Sequence, residues 1–475
     1  MEDIQGTGEA ITDLLNGRLS RRQFVGRATA LGLSGAAIGA ILAACGSSST
    51  SSAPAVASAS TGAASASAAA STASPAAAAA DITFWDMPWG NDSYNTEAMA
   101  LVDQFNQANQ GIAVKYQSIG WDQQFEAFST AIGAGQAPDV STGPSYQGPQ
   151  FAKLGAIAPL DTLIATLSQN GKADDFFAGS LEGYKYKDHY ISLPWSMDIR
   201  VLWYRSDLLA AAKIQPPTTW DELRAAAKQL SGRGKYAMAF AGDPFGWQIL
   251  LALMINNGGG LFSADGKVAI VTDRNREAAK FVQDMVRDGS ISPGAVTMTS
   301  DDMFKAIGQG AAFGWDSAAL NNNYTPEINQ ALLPLSMLKG PHGDQGTLHW
   351  LVPIMVYSQS KHQAEAATFV AYWLDQMPAI LAPKLGTGLL PIQKSVAADP
   401  DFQGATLQTV FSNWLPNAKY TSALDPTMFP ELGAVEGANV LTTFIQDLIS
   451  LKDLESTLQK AQDGLSQVVA IAQSQ

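Results

Sequence analysis

Tryptophan and aspartate residues recur beside the ends of predicted strands, and their chemistry suits a ligand with both apolar and hydroxyl surfaces. Seven of the eleven tryptophans carry the pattern, nearly all next to a strand end: Trp85, Trp89, Trp121, Trp195, Trp247, Trp315 and Trp350. An aspartate stands close by at Asp86, Asp198 and Asp316. Sugars present C–H faces that stack on aromatic rings, and their hydroxyls need donors and acceptors of fixed geometry. A single tryptophan is more often core, but the repeated pattern favours a carbohydrate cleft.

The stretch Tyr190–Asp207 is the centre of this pattern. It carries Pro194, Trp195 and Asp198, and the apolar run Val201–Tyr204 that follows predicts a buried strand. The indole and the carboxylate then lie at the mouth of a strand, so we expect them to face something other than core. The structural alternative is a strand that begins at a capped turn.

Signals for catalysis or metal binding are weak. The sequence has no HExxH motif, no G-x-S-x-G elbow and no phosphate-binding loop. The acids Asp86, Asp198 and Asp316 could still converge as paired catalytic carboxylates, so a glycoside-active enzyme is the enzymatic alternative. We expect no cofactor and no metal, because none of the four histidines has metal-ligand spacing: His189, His342, His349 and His362.

The elements that would hold these residues predict an α/β fold. Ile82–Trp85 and Ile112–Ile119 predict strands, with a helix over Glu97–Asn109 between them, and Lys235–Phe240 predicts a later strand. Strand, helix and strand in this order indicate a parallel unit. Ligands of such sheets bind outside the carboxyl ends of the strands. Asp86 after the first strand and Tyr146 after the third are therefore candidate site residues.

Length, charge and cysteine content restrict the class of protein. A chain of 475 residues exceeds what one hydrophobic core usually organises, so two lobes are expected. A net charge of −14 argues against nucleic acid or an anionic lipid surface as partner. A single cysteine excludes an internal disulfide framework.

Residues 1–44 have the features of an export leader. Ser20–Val25 contains twin arginines, Ala28–Ala44 is a short apolar segment, and Leu42–Gly46 resembles the bacterial lipoprotein box. We interpret residues 1–44 as a twin-arginine lipoprotein signal peptide and Cys45 as the lipidated residue. Residues 45–80 are nearly all Ser, Ala, Thr and Gly after the cysteine, which predicts a disordered linker. The protein is then expected outside the cytoplasmic membrane, lipid-anchored to its outer face.

The folded part resembles a known family through a series of motifs in a fixed order: Ala137–Val140, Leu193–Pro194 with Asp198 and Leu202–Tyr204, Pro217–Leu223, Gly258–Gly259, Gly308–Ala312 and Gly388–Pro391. From Asp81 onward the chain is similar to the bacterial extracellular solute-binding proteins of family 1, the sugar receptors of ABC importers that include maltose-binding protein. The resemblance implies an α/β, two-lobed, type II periplasmic-binding-protein-like fold, each lobe a mainly parallel sheet flanked by helices.

The same resemblance implies boundaries and hinges. Lobe 1 would comprise residues 81–195 plus about 354–386, and lobe 2 about 196–353 plus 387–475. Three segments would cross between the lobes, near Trp195–Asp198, Trp350–Pro353 and Gly386–Leu390.

The resemblance also implies a ligand site between the lobes, where Asp198 accepts sugar hydroxyls and Trp315 stacks on a sugar ring. The expected ligand-binding residues are Asp198, Trp315, Trp247, Trp195, Asp86, Trp85, Tyr146, Trp121, Asp316, Trp350 and Gly388. Val435–Glu436 stands where maltose-type members carry a tryptophan, so maltodextrin specificity is not implied. The expected partners are a carbohydrate and an ABC permease in the membrane, for a monomer that binds no nucleic acid. The alternatives are another solute, first a polyamine, then glycerol phosphate or a peptide.

Overall fold

The computed structural model describes residues 80–121, 123–318, 324–424 and 428–474. The predicted signal peptide, the lipidation site Cys45 and the linker up to residue 79 lie outside the described residues. The described residues belong to one compact unit.

The strands, numbered in chain order, are β1 (Ala80–Asp86), β2 (Ile112–Ser118), β3 (Val140–Thr142), β4 (Lys185–Tyr186), β5 (His189–Tyr190), β6 (Leu193–Ile199), β7 (Val201–Arg205), β8 (Phe313–Asp316), β9 (Leu332–Pro334), β10 (Thr347–Val356), β11 (Leu390–Pro391) and β12 (Ala418–Lys419). The α-helices are α1 (Asp92–Ala108), α2 (Gln124–Gly133), α3 (Gln147–Lys153), α4 (Asp161–Gln169), α5 (Ser206–Ala212), α6 (Trp220–Leu230), α7 (Pro244–Asn256), α8 (Asp273–Arg287), α9 (Ser300–Gly308), α10 (Pro326–Ala331), α11 (Gln363–Asp375), α12 (Met377–Ile380), α13 (Lys394–Ala397), α14 (Ala405–Thr409), α15 (Leu432–Gly437), α16 (Asn439–Ile449) and α17 (Leu454–Ser474). Short 3-10 and π turns occupy Ala173–Asp175, Glu182–Tyr184, Pro293–Thr297, Pro383–Leu385, Pro400–Phe402, Val410–Trp414 and Leu415–Asn417.

The larger sheet forms the centre of what we call the first lobe. Its strand order is β11-β6-β10-β3-β1-β2, with β12 joined to β10. As the sequence predicts, β1 pairs in parallel with β2 and β3, whereas β10 is antiparallel to β3 and β6. Ile82 and Phe84 alternate along β1 and are fully buried. Phe84 packs edge-on against Phe369 and Trp373 of α11, with ring centroids 5.0 and 4.9 Å apart.

The smaller sheet, in what we call the second lobe, has the order β8-β7-β9. Both of its pairings are antiparallel, which corrects the expectation of a mainly parallel sheet in this lobe. The predicted strand Lys235–Phe240 forms only isolated bridges, an antiparallel one between Lys235 and Gly232 and a parallel one between Met238 and Phe313. Ala239 donates its N–H to the Phe313 carbonyl at 2.9 Å. A run of apolar residues predicts that a strand is buried, but it does not predict whether the neighbouring strands are parallel or antiparallel to it. The sequence could therefore not distinguish these pairings.

The chain passes from one sheet to the other at Arg200, the residue between β6 and β7. Beside this point β10 pairs with β6, so that Trp350 lies opposite Asp198. β11 pairs on the other side of β6, with Leu390 opposite Met197. The three crossing segments expected from the sequence therefore lie side by side.

Neither a membrane span nor a metal cluster is found in the described part of the chain. No helix there is long and apolar enough to cross a bilayer. The same residues include no group of three or more His, Cys, Asp or Glu side chains that could hold a metal ion.

Candidate functional site

A cleft of about 390 Å³ lies where the crossing strands meet the two lobes. The first lobe contributes residues from the segments after β1 and β3 and from α2, and the second contributes residues from α7 and α15. The lining residues are Trp89, Trp121, Gln124, Pro144, Ser145, Tyr146, Asp198, Arg200, Pro244, Trp247, Gln248, Trp350, Val352 and Glu436.

A compensated ion pair lies at the crossing. The guanidinium Nη1 of Arg200 donates to Asp198 Oδ2 at 2.7 Å, and Asp198 Oδ1 accepts from the Ile199 backbone N–H at 2.8 Å. Nε and Nη2 of Arg200 both donate to Gln248 Oε1, at 3.0 and 2.8 Å. The guanidinium carbon also lies 4.7 Å from the ring centroid of Trp350, in cation–π contact. Most donors of the guanidinium are therefore occupied by the protein itself.

A second acid, Glu436 on α15, faces the cleft beside Trp350. Glu436 Oε1 accepts from the Trp350 indole N–H at 3.3 Å and from Thr421 Oγ1 at 2.6 Å. The indole also donates to Thr421 Oγ1 at 3.0 Å. Burial raises the pKa of Glu436 to about 7, although these hydrogen bonds and the charge of Arg200 act in the opposite direction. This carboxyl therefore titrates near neutral pH.

The first-lobe wall combines aromatic rings with a chain of hydrogen bonds. Trp89 and Trp121 meet edge to face with ring centroids 4.9 Å apart, and Trp121 is 47% exposed at the rim. Gln147 donates to Gln124 Oε1 at 2.6 Å, and Gln124 donates to the Tyr146 hydroxyl at 2.9 Å. The wall thus offers ring faces together with fixed polar groups.

Trp247 of α7 faces this wall from the second lobe. It is 3% exposed and lines the cleft. Its indole N–H has no hydrogen-bond partner among the described residues. An unpaired buried donor costs free energy, and a hydrogen bond to a ligand oxygen would offset that cost.

Asp86 supports the cleft from beneath and does not line it, which corrects its expected ligand contact. The carboxylate is fully buried and accepts from Trp89 Nε1 at 3.1 Å and from the Tyr94 hydroxyl at 2.9 Å. The Thr142 hydroxyl donates to it as well. Burial raises the pKa of Asp86 to about 6, and the hydrogen bonds oppose that rise. Asp86 therefore fixes the orientation of Trp89.

Of the residues expected from the sequence, the cleft brings together Asp198, Trp247, Tyr146, Trp121 and Trp350. The structure does not bring the others to it: Trp315, Trp195, Trp85, Asp86, Asp316 and Gly388.

Trp315 is the largest of these corrections. It lies on β8 opposite Leu202 of β7, is 4% exposed, and packs edge-on against Trp414 with ring centroids 6.0 Å apart. Asp316, the next residue, is also buried, and its Oδ1 accepts from the Ser317 backbone N–H at 2.8 Å. Both side chains belong to the interior of the second lobe.

The remaining corrections are also packing positions. Trp195 is fully buried on β6 behind Trp89, with ring centroids 5.7 Å apart. Trp85 packs edge-on against Phe128 at 5.3 Å. Gly388 has φ +67°, a left-handed conformation that favours glycine in the turn before β11.

The acids considered for catalysis do not converge. Asp86 and Asp316 are buried away from the lining, and Asp198 alone of the three lies in the cleft. The sequence reasoning missed Gln124, Gln248 and Glu436. Gln248 follows Trp247 directly, and Glu436 belongs to the pair Val435–Glu436 that stands where maltose-type members carry a tryptophan, which was the available signal for it.

Comparison with known proteins decides the class of this site. A family model for bacterial extracellular solute-binding proteins matches residues 91–377. The chain belongs to that family. This solute-binding protein resembles a solved sugar transporter from Arthrobacter chlorophenolicus A6 with bound laminaribiose, at 32% identity and a TM-score of 0.74, covering 82% of this chain and 99% of that chain.

Two curated relatives extend the comparison. Maltotriose-binding protein of Pyrococcus abyssi is 23% identical over 349 residues, which cover 71% of this chain and 72% of that protein. An uncharacterized lipoprotein in the oleD 5' region of Streptomyces antibioticus is 27% identical over 361 residues, which cover 73% and 76%. The predicted family and the two-lobed type II periplasmic-binding-protein fold are thus confirmed. Members of this class are extracytoplasmic components of ABC transporters that bind substrates and are not enzymes.

Proposed function

We propose that this protein is the substrate-binding lipoprotein of an ABC importer. It binds a mono- or oligosaccharide in the cleft between its lobes and delivers the sugar to a membrane permease. The observation that carries the proposal is the pairing of aromatic walls with the indole N–H of Trp247, a lining residue whose donor has no partner within the described ranges. A sugar supplies a C–H face for the rings and an oxygen for that donor.

The lining disfavours two of the alternatives. Arg200 is the one basic side chain among the described lining residues, and its N–H groups are held by Asp198 and Gln248. A phosphate ligand would need donors that this arrangement has already used. A protonated polyamine carries donors without acceptors and leaves the indole of Trp247 unpaired.

The size of the cleft and the most informative structural relative favour a short sugar. A volume of about 390 Å³ lies near the lower end of the roughly 300–1,000 Å³ of ligand pockets. The sugar transporter that is 32% identical to this chain was solved with laminaribiose, a disaccharide. A neutral disaccharide is therefore the substrate that we propose to test first.

Contacts between the lobes support a closing motion. Lys153 of α3 donates to Glu431 Oε1 at 3.3 Å and to the Ala472 carbonyl at 2.6 Å, joining the first lobe to helices of the second. A ligand that touches both walls only in the closed state shifts the population toward it. We propose the lobe boundaries given above as the parts that move, with the closed form presented to the permease.

The membrane anchor belongs to the same proposal. Cys45 after the short apolar segment would carry the lipid, and the Ser/Ala-rich linker would hold the binding unit near the permease. The name of the Streptomyces relative supports a lipoprotein. Cys45→Ser should move the protein from the membrane fraction to the soluble fraction, and retention in the membrane would overturn the anchor.

A polyamine receptor is the second candidate, because Glu436 adds an acidic group to the cleft. Calorimetric titration of the purified protein with laminaribiose, cellobiose, maltose and spermidine separates the two. Binding of a saccharide without spermidine supports the proposal, and spermidine binding alone would replace it. Chromatography of the bound sugar after prolonged incubation should return it intact, since hydrolysis would contradict a receptor without catalytic activity.

A further inference from the structure

The cleft has few charged side chains, and they differ in whether an opposite charge lies beside them. Three charged residues are among the described lining residues: Asp198, Arg200 and Glu436. Asp198 and Arg200 form an ion pair of 2.7 Å and cancel one another. Glu436 receives hydrogen bonds only from the uncharged Trp350 and Thr421 in the described structure, and no described Lys, Arg or His nitrogen lies within 4.0 Å of its carboxylate. The net charge of the described lining therefore depends on Glu436.

We propose that Glu436 determines the charge selectivity of this cleft and excludes acidic sugars such as uronides. The inference rests on the proposed function, because it concerns which saccharides the same site accepts. An anionic ligand would bring a second negative charge into a confined site where water screens poorly. A neutral sugar meets no such repulsion, and its hydroxyls can donate to the carboxylate.

Among the interacting groups around Glu436, the carboxyl of Glu436 is the one whose charge changes near neutral pH. Arg200 favours the ionised form of Glu436, and burial raises the pKa of the carboxyl to about 7. The phenols of Tyr146 and Tyr184 also interact with it, and burial raises the pKa of Tyr146 to about 12 and that of Tyr184 above its ordinary value. Both phenols are neutral at pH 6 to 8, so ionisation of Glu436 changes the charge of this group of side chains.

The selectivity can be measured with matched ligands. We compare laminaribiose with the disaccharide in which glucuronic acid replaces one of its glucose units, by calorimetry at pH 8. The wild-type protein should bind the acidic disaccharide about 10- to 100-fold more weakly than laminaribiose, as expected for like charges in a partly screened site. Glu436→Gln keeps the shape and the acceptor oxygen, and should reduce that ratio about tenfold or more.

Two controls separate selectivity from general effects. Glu327→Gln removes an exposed acid of α10 that does not line the cleft, so its selectivity ratio should equal that of the wild type. The wild-type ratio should also fall between pH 8 and pH 5.5 as Glu436 takes up a proton, which tests the inference even where the Gln variant folds poorly.

The outcomes distinguish the two proposals. A wild-type protein that binds laminaribiose and its uronide equally at pH 8, or a ratio unchanged in Glu436→Gln, overturns the role of Glu436 and leaves the sugar receptor standing. A wild-type protein that binds no neutral saccharide of the panel overturns the proposed function, and this inference fails with it.

Discussion

The indole of Trp247 gives the sharpest prediction for ligand affinity. Trp247→Phe keeps an aromatic ring on the cleft wall and removes the N–H that has no partner among the described residues. A buried unsatisfied donor costs about 1–3 kcal/mol, and a ligand oxygen recovers that energy in the wild type alone. We therefore expect the variant to bind its sugar about 5- to 150-fold more weakly, since 1.4 kcal/mol is about tenfold in affinity. The free variant should lose little stability, because it also loses the unsatisfied donor.

Trp373 supplies a matched control for this experiment. It is fully buried on α11, its indole N–H likewise has no partner in the described structure, and it packs against Phe84 and does not line the cleft. Trp373→Phe makes the same chemical change, so calorimetry with laminaribiose should show affinity within about twofold of the wild type. Scanning calorimetry of both free variants reports the cost to folding. Equal losses of affinity in the two variants, or none in Trp247→Phe, would refute the reasoning.

Four further variants test the site and its supports. Asp198→Ala should weaken sugar binding about 5- to 150-fold. Because it leaves the Arg200 guanidinium without its carboxylate, it should also lower the free energy of unfolding by about 3 kcal/mol. Calorimetry measures the affinity and denaturant titration the stability, and unchanged affinity would remove Asp198 from the site. Trp315→Ala should lower the free energy of unfolding by about 3–5 kcal/mol while the folded protein keeps its affinity, and weaker binding at unchanged stability would restore the stacking role. Lys153→Met breaks the bridge to Glu431 and the Ala472 carbonyl, and titrations should show every ligand weakened by one common factor, of order fivefold or less. The pKa of Glu436 rises on folding from 4.5 to about 7, which corresponds to about 3 kcal/mol in the free energy of unfolding at about 1.36 kcal/mol per pKa unit. This contribution is fully present below pH 4.5 and is lost as the pH rises through 7. Glu436→Gln should flatten that part of a stability–pH profile, and an unchanged profile would contradict the assignment.

Much of the first lobe could be predicted from hydrophobic alternation. The strand predicted at Ile82–Trp85 is found as Ala80–Asp86, and the one predicted at Ile112–Ile119 as Ile112–Ser118. Pairing is a property of two segments, and a single run of apolar residues does not contain it. For that reason Lys235–Phe240 was predicted as a strand and forms only isolated bridges, at Lys235 and at Met238.

The tryptophan pattern predicted the kind of site but not its full membership. Trp121, Trp247 and Trp350 line the cleft, whereas Trp195 and Trp315 are packed behind it. Successive side chains of a strand point to opposite faces, so a tryptophan at a strand end has two possible destinations. Which face is covered by helices is decided by tertiary packing, and position along the sequence does not reveal it.

The location of the ion pair between Asp198 and Arg200 would allow it to stay intact while the cleft closes. Asp198 and Arg200 belong to the crossing segment between the sheets, and their ion pair lies within a short stretch of one chain. The hinge motion that we propose therefore need not break it, and we expect Trp89 on one wall and Trp247 on the other to approach a ligand as the lobes close. We expect the crossing pair to contact the ligand in both the open and the closed state, and the walls to add the contacts that favour closure. Glu436 is hydrogen-bonded to Trp350 of β10, the crossing strand that pairs with Asp198, so we expect its repulsion of an acidic ligand to act in the open and the closed form alike.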